Sequence, residues 1–142
     1  MSATAAHDEL DGLIGRTQRI FDGAWSSIDT NAEPCPDGHP GLIFAFGRIG
    51  PGSTTPELGE RIPQVLALWK DAGHDASVTH STQSGVALTE VRFPPGGGYA
   101  ADGLYLSLVA SAKGTTIDAQ SRCVPGDPDA YNARHPHRDT TP

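Results

Sequence analysis

The strongest constraint in this sequence is a period-two apolar pattern that runs up to one turn and resumes after it. Leu104, Leu106, Leu108 and Ala110 alternate with Tyr105, Ser107 and Val109, and beyond Lys113-Gly114 the pattern returns as Ile117, Ala119, Ser121 and Cys123. Successive strand side chains point to opposite faces, so two such runs about a short turn read as an antiparallel hairpin. With Lys113 and Gly114 as a two-residue turn, Ala112 faces Thr115, Ala110 faces Ile117, Leu108 faces Ala119 and Leu104 faces Cys123. One face then carries the aliphatic set. The other carries Tyr105, Ser107, Val109, Thr116, Asp118, Gln120 and Arg122, as expected of a sheet packed on one side and wet on the other.

Two helices are available to cover the packed face. Leu10, Leu13, Ile14, Thr17, Ile20, Phe21 and Trp25 recur at helical spacing behind Asp8, Glu9 and Asp11, which predicts a helix over residues 8–24. Thr54 and Glu57 stand at capping-box spacing with Pro56 between them. Ile62, Val65, Leu66, Trp69 and Ala72 then form a stripe that Gly73 ends. Pro63 lacks an N–H and its ring crowds the preceding turn, which predicts a kink or a second helix start there. Trp25 and Trp69 both fall on apolar stripes and read as core. A buried strand is expected at residues 41–48, and further strands at 75–82 and 86–93 about Ser84-Gly85. The order α-β-α-β-β-β-β describes an α+β two-layer sandwich, with two helices on one face of a mainly antiparallel sheet.

The chain has 142 residues, of which only 27 are Leu, Ile, Val or Phe, and all of these but Val124 lie between Leu10 and Ile117. The expected organisation is therefore one small-cored domain over residues 8–125, with tails at 1–7 and 126–142. Seventeen acidic against 10 basic residues give a net charge of −7 with no clustered Lys/Arg footprint, which argues against a nucleic-acid partner. No apolar run reaches the ~18 residues of a membrane span. Residues 1–7 have neither the charged nor the apolar region of an export signal, so export would require a processed or trimmed form.

Cys35 lies in a Pro-rich loop before the first strand and Cys123 at the end of the last. Two cysteines admit one intramolecular pairing, and the alternative is a pair of buried thiols. Their positions at element ends, with Cys123 turned toward the helix side, favour the disulfide and an oxidising compartment. The lack of a C-x-x-C argues against a redox or zinc role. Cys35, Leu68-Trp69, Ala72-Gly73-His74 and Ser121-Arg122-Cys123-Val124-Pro125-Gly126-Asp127 together resemble a group of small actinobacterial secreted proteins and lipoproteins. That group shares a long first helix, a Cys before the first strand and a Cys-Val-Pro-Gly ending. The resemblance, from about Leu10 to Asp127, implies an extracytoplasmic α+β domain with the Cys35–Cys123 disulfide. It implies no activity. Pro63 and the absence of a lipidated cysteine depart from the pattern.

Catalytic machinery is not legible. There is no G-x-S-x-G elbow, and Gly47-Arg48-Ile49-Gly50-Pro51-Gly52 lacks the Lys-Ser/Thr that closes a phosphate loop. Asp127-Pro128-Asp129 lacks the other ligands of a calcium loop, and Asp102 and Glu90 read as solvated carboxylates. His135-x-His137 sits between Arg134 and Arg138, which opposes a metal site, and His39 and His74 read as solvated loop residues. His80 shares a face with Ala76, Val78, Val91 and Phe93 and reads as a polar rim residue bonded to backbone. No metal or cofactor is expected. The candidate binding face is Tyr105, Val109, Gln120 and Arg122, over which the 95–101 loop can close. The expected function is a noncatalytic extracytoplasmic domain, secreted or membrane-anchored, that contacts a protein or envelope component. Two alternatives stand beside it: a small-ligand carrier or enzyme with a cone-shaped fold like that of nuclear transport factor 2, and an immunity or inhibitor protein whose acidic surface covers a basic site.

Overall fold

The computed structural model of the chain describes residues 1–136. His137 and Arg138, part of the paired-histidine reading, lie outside the described residues.

Helix α1 spans Ala3–Gln18, so its start falls five residues before the expected one. Ser2 caps it by accepting a hydrogen bond from the Ala5 N–H at 3.0 Å, and the following alanines favour helix without adding periodicity. Residues 3–7 are therefore helical rather than tail, and Ala6 is buried. At the other end the Ile20 and Phe21 N–H groups bond back three residues to Thr17 and Gln18, and Gly23 turns the chain at φ 131. Phe21 is still buried, but off the helix. Trp25 also lies beyond α1, packed so closely over Gly50 that a Cβ there would stand 2.4 Å from the indole. Helix α2, Thr55–Asp71, has the expected capping box: the Glu57 N–H donates to Thr54 Oγ1 at 3.2 Å, and the Thr54 N–H to Glu57 Oε1 at 2.7 Å. It passes through Pro63 without a second start. Pro63 and Gly59, whose carbonyl loses its donor, are both exposed, so water can satisfy the orphaned group.

The strands are β1 (Ser26–Ser27), β2 (Glu33–Pro34), β3 (Leu42–Ile43), β4 (Ala45–Gly50), β5 (Ser77–Gln83), β6 (Val86–Phe93), β7 (Tyr105–Ala110) and β8 (Thr115–Gln120). Six form one antiparallel sheet in the order β1-β4-β8-β7-β6-β5, and β2 and β3 form a separate pair. Helices and sheet make the α+β sandwich read from the sequence. The expected strand at 41–48 is split at Phe44, whose N–H donates to Ser121 Oγ and whose carbonyl accepts from the Ser121 N–H, both at 2.9 Å. Leu42, Ile43 and Phe44 are all buried, which one face of a regular pleat cannot accommodate.

The β7–β8 register is a correction. Ala110 faces Thr115, Leu108 faces Ile117 and Leu106 faces Ala119, two residues away from the expected pairing. The turn has four residues rather than two, because Ser111 closes it: its N–H donates to the Gly114 carbonyl at 2.9 Å and its hydroxyl accepts from the Lys113 N–H at 3.1 Å. A shift of two keeps every side chain on its face. Leu104, Leu106, Leu108, Ala110, Ile117, Ala119 and Ser121 are accordingly all buried, against Leu10, Ile14, Val65 and Trp69 of the helices. The Trp69 indole N–H donates to Thr17 Oγ1 at 3.1 Å, and that hydroxyl donates to the Leu13 carbonyl at 2.8 Å, which joins α2 to α1 inside the core.

Cys35 and Cys123 form a disulfide with their Cα atoms 5.7 Å apart, tying the loop before β3 to the chain beyond β8. The segment after it is not simply a tail. Asp127 caps helix α3, Pro128–Arg134, by accepting from the Ala130 N–H at 2.8 Å. The Asn132 side chain then bonds both the N–H and the carbonyl of Ala32, at 2.9 and 3.0 Å. No described helix is long and apolar enough to cross a membrane.

Candidate functional site: the open sheet face

The packed-face assignments of β7 and β8 place Tyr105, Ser107, Val109, Thr116, Asp118 and Gln120 on the opposite face, beside Glu90 and Arg92 of β6 and Ile49 of β4. A hollow of about 360 Å³ on this face is bordered by Ile28, Ile49, Tyr105, Thr116 and Asp118, and no described helix residue lines it. Ile28 and Ile49 are 66% and 50% exposed, high values for residues of this type. Ile28 reaches the sheet because its N–H donates to the Gly47 carbonyl at 2.9 Å. Gly47 is required for that approach, since a Cβ there would stand 2.8 Å from the Ile28 carbonyl oxygen.

Tyr105 and Arg92 set the polar character of this surface. The Arg92 guanidinium lies 4.9 Å from the Tyr105 ring centroid and also donates to the Gly98 carbonyl, which joins the 95–101 loop to the face. Burial pushes the Tyr105 phenol up from its ordinary value and Asp118 adds to this, while Arg92 opposes it, so the phenol is a neutral donor at physiological pH. Gln120 is held by a 2.6 Å bond from its Nε2 to the Gly103 carbonyl, and Val109 is half-buried. The fourth residue of the expected strip, Arg122, is not on it. Strand β8 ends at Gln120, and the Arg122 guanidinium is tied to Glu9 of α1 at 2.8 Å and to Asp102. Those bonds raise its pKa further above the usual arginine value. Asp102 also accepts from the Leu104 N–H at 3.1 Å, and Glu90 from the Ser107 hydroxyl at 3.4 Å, so neither carboxylate is simply solvated.

His80 is exposed, and its Nδ1 lies 3.2 Å from Thr89 Oγ1, a side-chain partner rather than the expected backbone one. It borders a cleft of about 590 Å³ between the start of α2 and the β5–β6 hairpin, and no carboxylate among the described residues lines that cleft. His74 is a correction, because it is buried rather than solvated. Helix α2 ends with Gly73 at φ 94, the Gly73 N–H on the Lys70 carbonyl and the His74 N–H on the Trp69 carbonyl. This Schellman arrangement turns the second residue past the cap back toward the helix. The imidazole accordingly packs 5.0 Å from the Phe93 ring. Burial lowers its pKa and Arg122 lowers it further, while Glu9 and Asp102 partly oppose the shift. A histidine whose folded pKa is depressed contributes stability that is complete above its unfolded value, about 6.5, and is lost as pH falls from there through the folded value. The expected result is a melting temperature that drops as pH falls below about 6.5. In His74→Gln that slope is shallower than in wild type, measured by thermal denaturation in matched buffers.

Arg48 was not singled out by the sequence. Its side chain is 7% exposed, donates to Asp29, and lies 3.5 Å from Asp11 of α1. The available signal was parity, since Arg48 shares the inward face of β4 with Phe46 and an inward charge requires a counter-charge.

No protein-family model matches the chain, and no curated protein does. Among solved structures, the crystal structure of a DUF4853 family protein from Actinomyces odontolyticus ATCC 17982 is similar at a TM-score of 0.38 and 12% identity, over 87% of this chain and 64% of that one. The chain thus spans less than two thirds of that protein's length.

Proposed function

We propose that this chain is a noncatalytic extracytoplasmic domain, secreted or membrane-anchored, whose open sheet face binds a protein or envelope component. The observation that carries the reading is the pair of exposed isoleucines, Ile28 and Ile49, bordering with Tyr105 one hollow that no described helix residue lines. Burying such a side chain against a partner contributes about 1.5–3 kcal/mol each, and the neutral Tyr105 phenol supplies a directional donor beside them. Asp118 and Glu90 favour a partner that brings Lys or Arg to the rim. The Cys35–Cys123 disulfide supports the compartment, because such bonds persist where thiols are not held reduced.

The compartment is tested by expressing the gene with its own upstream region in the producing organism, then treating intact cells with a membrane-impermeant protease. The expected result is a protease-accessible chain whose two cysteines resist maleimide until reduced. A protected chain with two reactive thiols overturns the extracytoplasmic reading. For the face, Ile49→Lys is expected to leave the unfolding midpoint within about 0.5 kcal/mol of wild type, since the side chain is already half exposed. The same variant is expected to lose partner binding by tenfold or more, measured by surface plasmon resonance once the partner is in hand.

A further inference from the structure

A second cavity, of about 230 Å³, lies where the first turns of α1 meet α3, and none of Ile28, Ile49, Tyr105 or Asp118 lines it. Its walls are aromatic. The His7 ring stands edge-on to Phe44 at 5.1 Å, Tyr131 stands edge-on to the same Phe44 at 5.2 Å, and His135 stacks on Tyr131 at 4.1 Å and 15°. The Asn132 bonds to Ala32 hold α3, and with it Tyr131 and His135, in place.

The charge of this cavity selects a ligand class. Among the described residues, Asp29 is the one carboxylate in the lining and no Lys or Arg lines it. Arg48, which pairs with Asp29, also faces Asp11, so a single cation serves two carboxylates. His135 Nδ1 lies 3.1 Å from the Tyr131 carbonyl, and His7 Nδ1 lies 3.1 Å from an Asp8 carboxylate oxygen. Both partners are acceptors, so Nδ1 is a proton-bearing nitrogen of each ring. Aromatic rings and a carboxylate, with no Lys or Arg among the described lining residues, are the chemistry that holds a positively charged nitrogen. The volume is below the usual range for drug-sized ligands, which restricts the occupant to a small molecule.

We propose that this cavity is a binding site for a small organic cation of the alkylammonium class. Phe44, Tyr131, His7 and His135 supply the ring walls and Asp29 the counter-charge.

The test titrates the full chain with choline and, separately, with 3,3-dimethyl-1-butanol, which has the same shape without the charge, following backbone amide resonances. Choline is expected to bind saturably and at least tenfold more tightly than the neutral isostere, with shifts concentrated at residues 29–32 and 131–135. Tyr131→Leu is expected to weaken choline about tenfold, the factor that 1.4 kcal/mol of lost cation–ring attraction gives, while Tyr131→Phe retains it. Equal binding of the two probes, absence of saturable shifts, or an equal loss in the Phe and Leu variants overturns the proposal. Should Tyr131→Leu fail to fold, the isostere comparison on the unaltered chain decides alone.

Discussion

Replacing Cys35 and Cys123 together by alanine is expected to lower the unfolding free energy by about 3 kcal/mol and the melting temperature by roughly 10 °C. The two residues are 88 apart in sequence, and the chain-entropy model gives about 4.6 kcal/mol for a loop of that length. Residual structure in the unfolded chain reduces that figure. The effect is large here because the core is thin and the crosslink closes a loop holding β3 through β8 together with α2. Urea titration of the oxidised chain, the reduced chain and the double alanine variant measures it. The last two are expected to share one midpoint well below the first, and coincidence of all three would show that the crosslink adds nothing.

The second large effect is expected at Arg48. Replacing it by methionine keeps much of the volume but leaves Asp29, only 20% exposed, without its cation. Removing one partner of a buried pair costs about 3–5 kcal/mol, and the residual exposure of Asp29 places Arg48→Met toward the lower end, about 3 kcal/mol. The diagnostic is the double variant Arg48→Met/Asp29→Asn, which is expected to be more stable than Arg48→Met alone because only the exposed Asp11 carboxylate is then left without its cation. Simple addition of the two single losses in chemical denaturation would place the cost in packing rather than in charge.

The faces of β7 and β8 were legible because side-chain period survives a register error of two. Leu106, Leu108 and Ile117 are buried whichever pairing holds, and Tyr105 stands on the opposite face. The register itself was not legible, because Lys113-Gly114 resembles a two-residue turn while the Ser111 side chain builds a four-residue one. Helix α1 was displaced at both ends for related reasons. Ala3, Ala5 and Ala6 contribute propensity without a stripe, whereas Phe21 continues the stripe from a tightened turn after the helix has ended. Pro63 reads in the sequence as a kink or a second helix start, yet at an exposed position the cost of one lost hydrogen bond is offset by the capping box and the buried Val65 and Trp69.

Of the candidate face, Tyr105, Val109 and Gln120 were placed by alternation. Arg122 was misplaced by the same rule, applied beyond Gln120, where the strand no longer exists. Ile28 and Ile49 were missed because exposure of an apolar residue depends on what tertiary packing leaves uncovered. The aromatic cavity joins residues from both ends of the chain, His7 and His135, and no local pattern relates them. His74 is the intermediate case. Gly73 was recognised as the helix stop, and the burial of His74 follows from the motif such a glycine builds.

The open-face assignment is tested most directly by placing a photo-crosslinking residue at Ile49 in one variant and at Lys70, an exposed residue of α2, in another. Both chains are expressed in the producing organism and irradiated in intact cells. The predicted result is one discrete adduct from position 49 that is lost when Tyr105→Ala is added, with none from position 70. Adducts from position 70 alone, or equally from both positions, would contradict the assignment of binding to the sheet face.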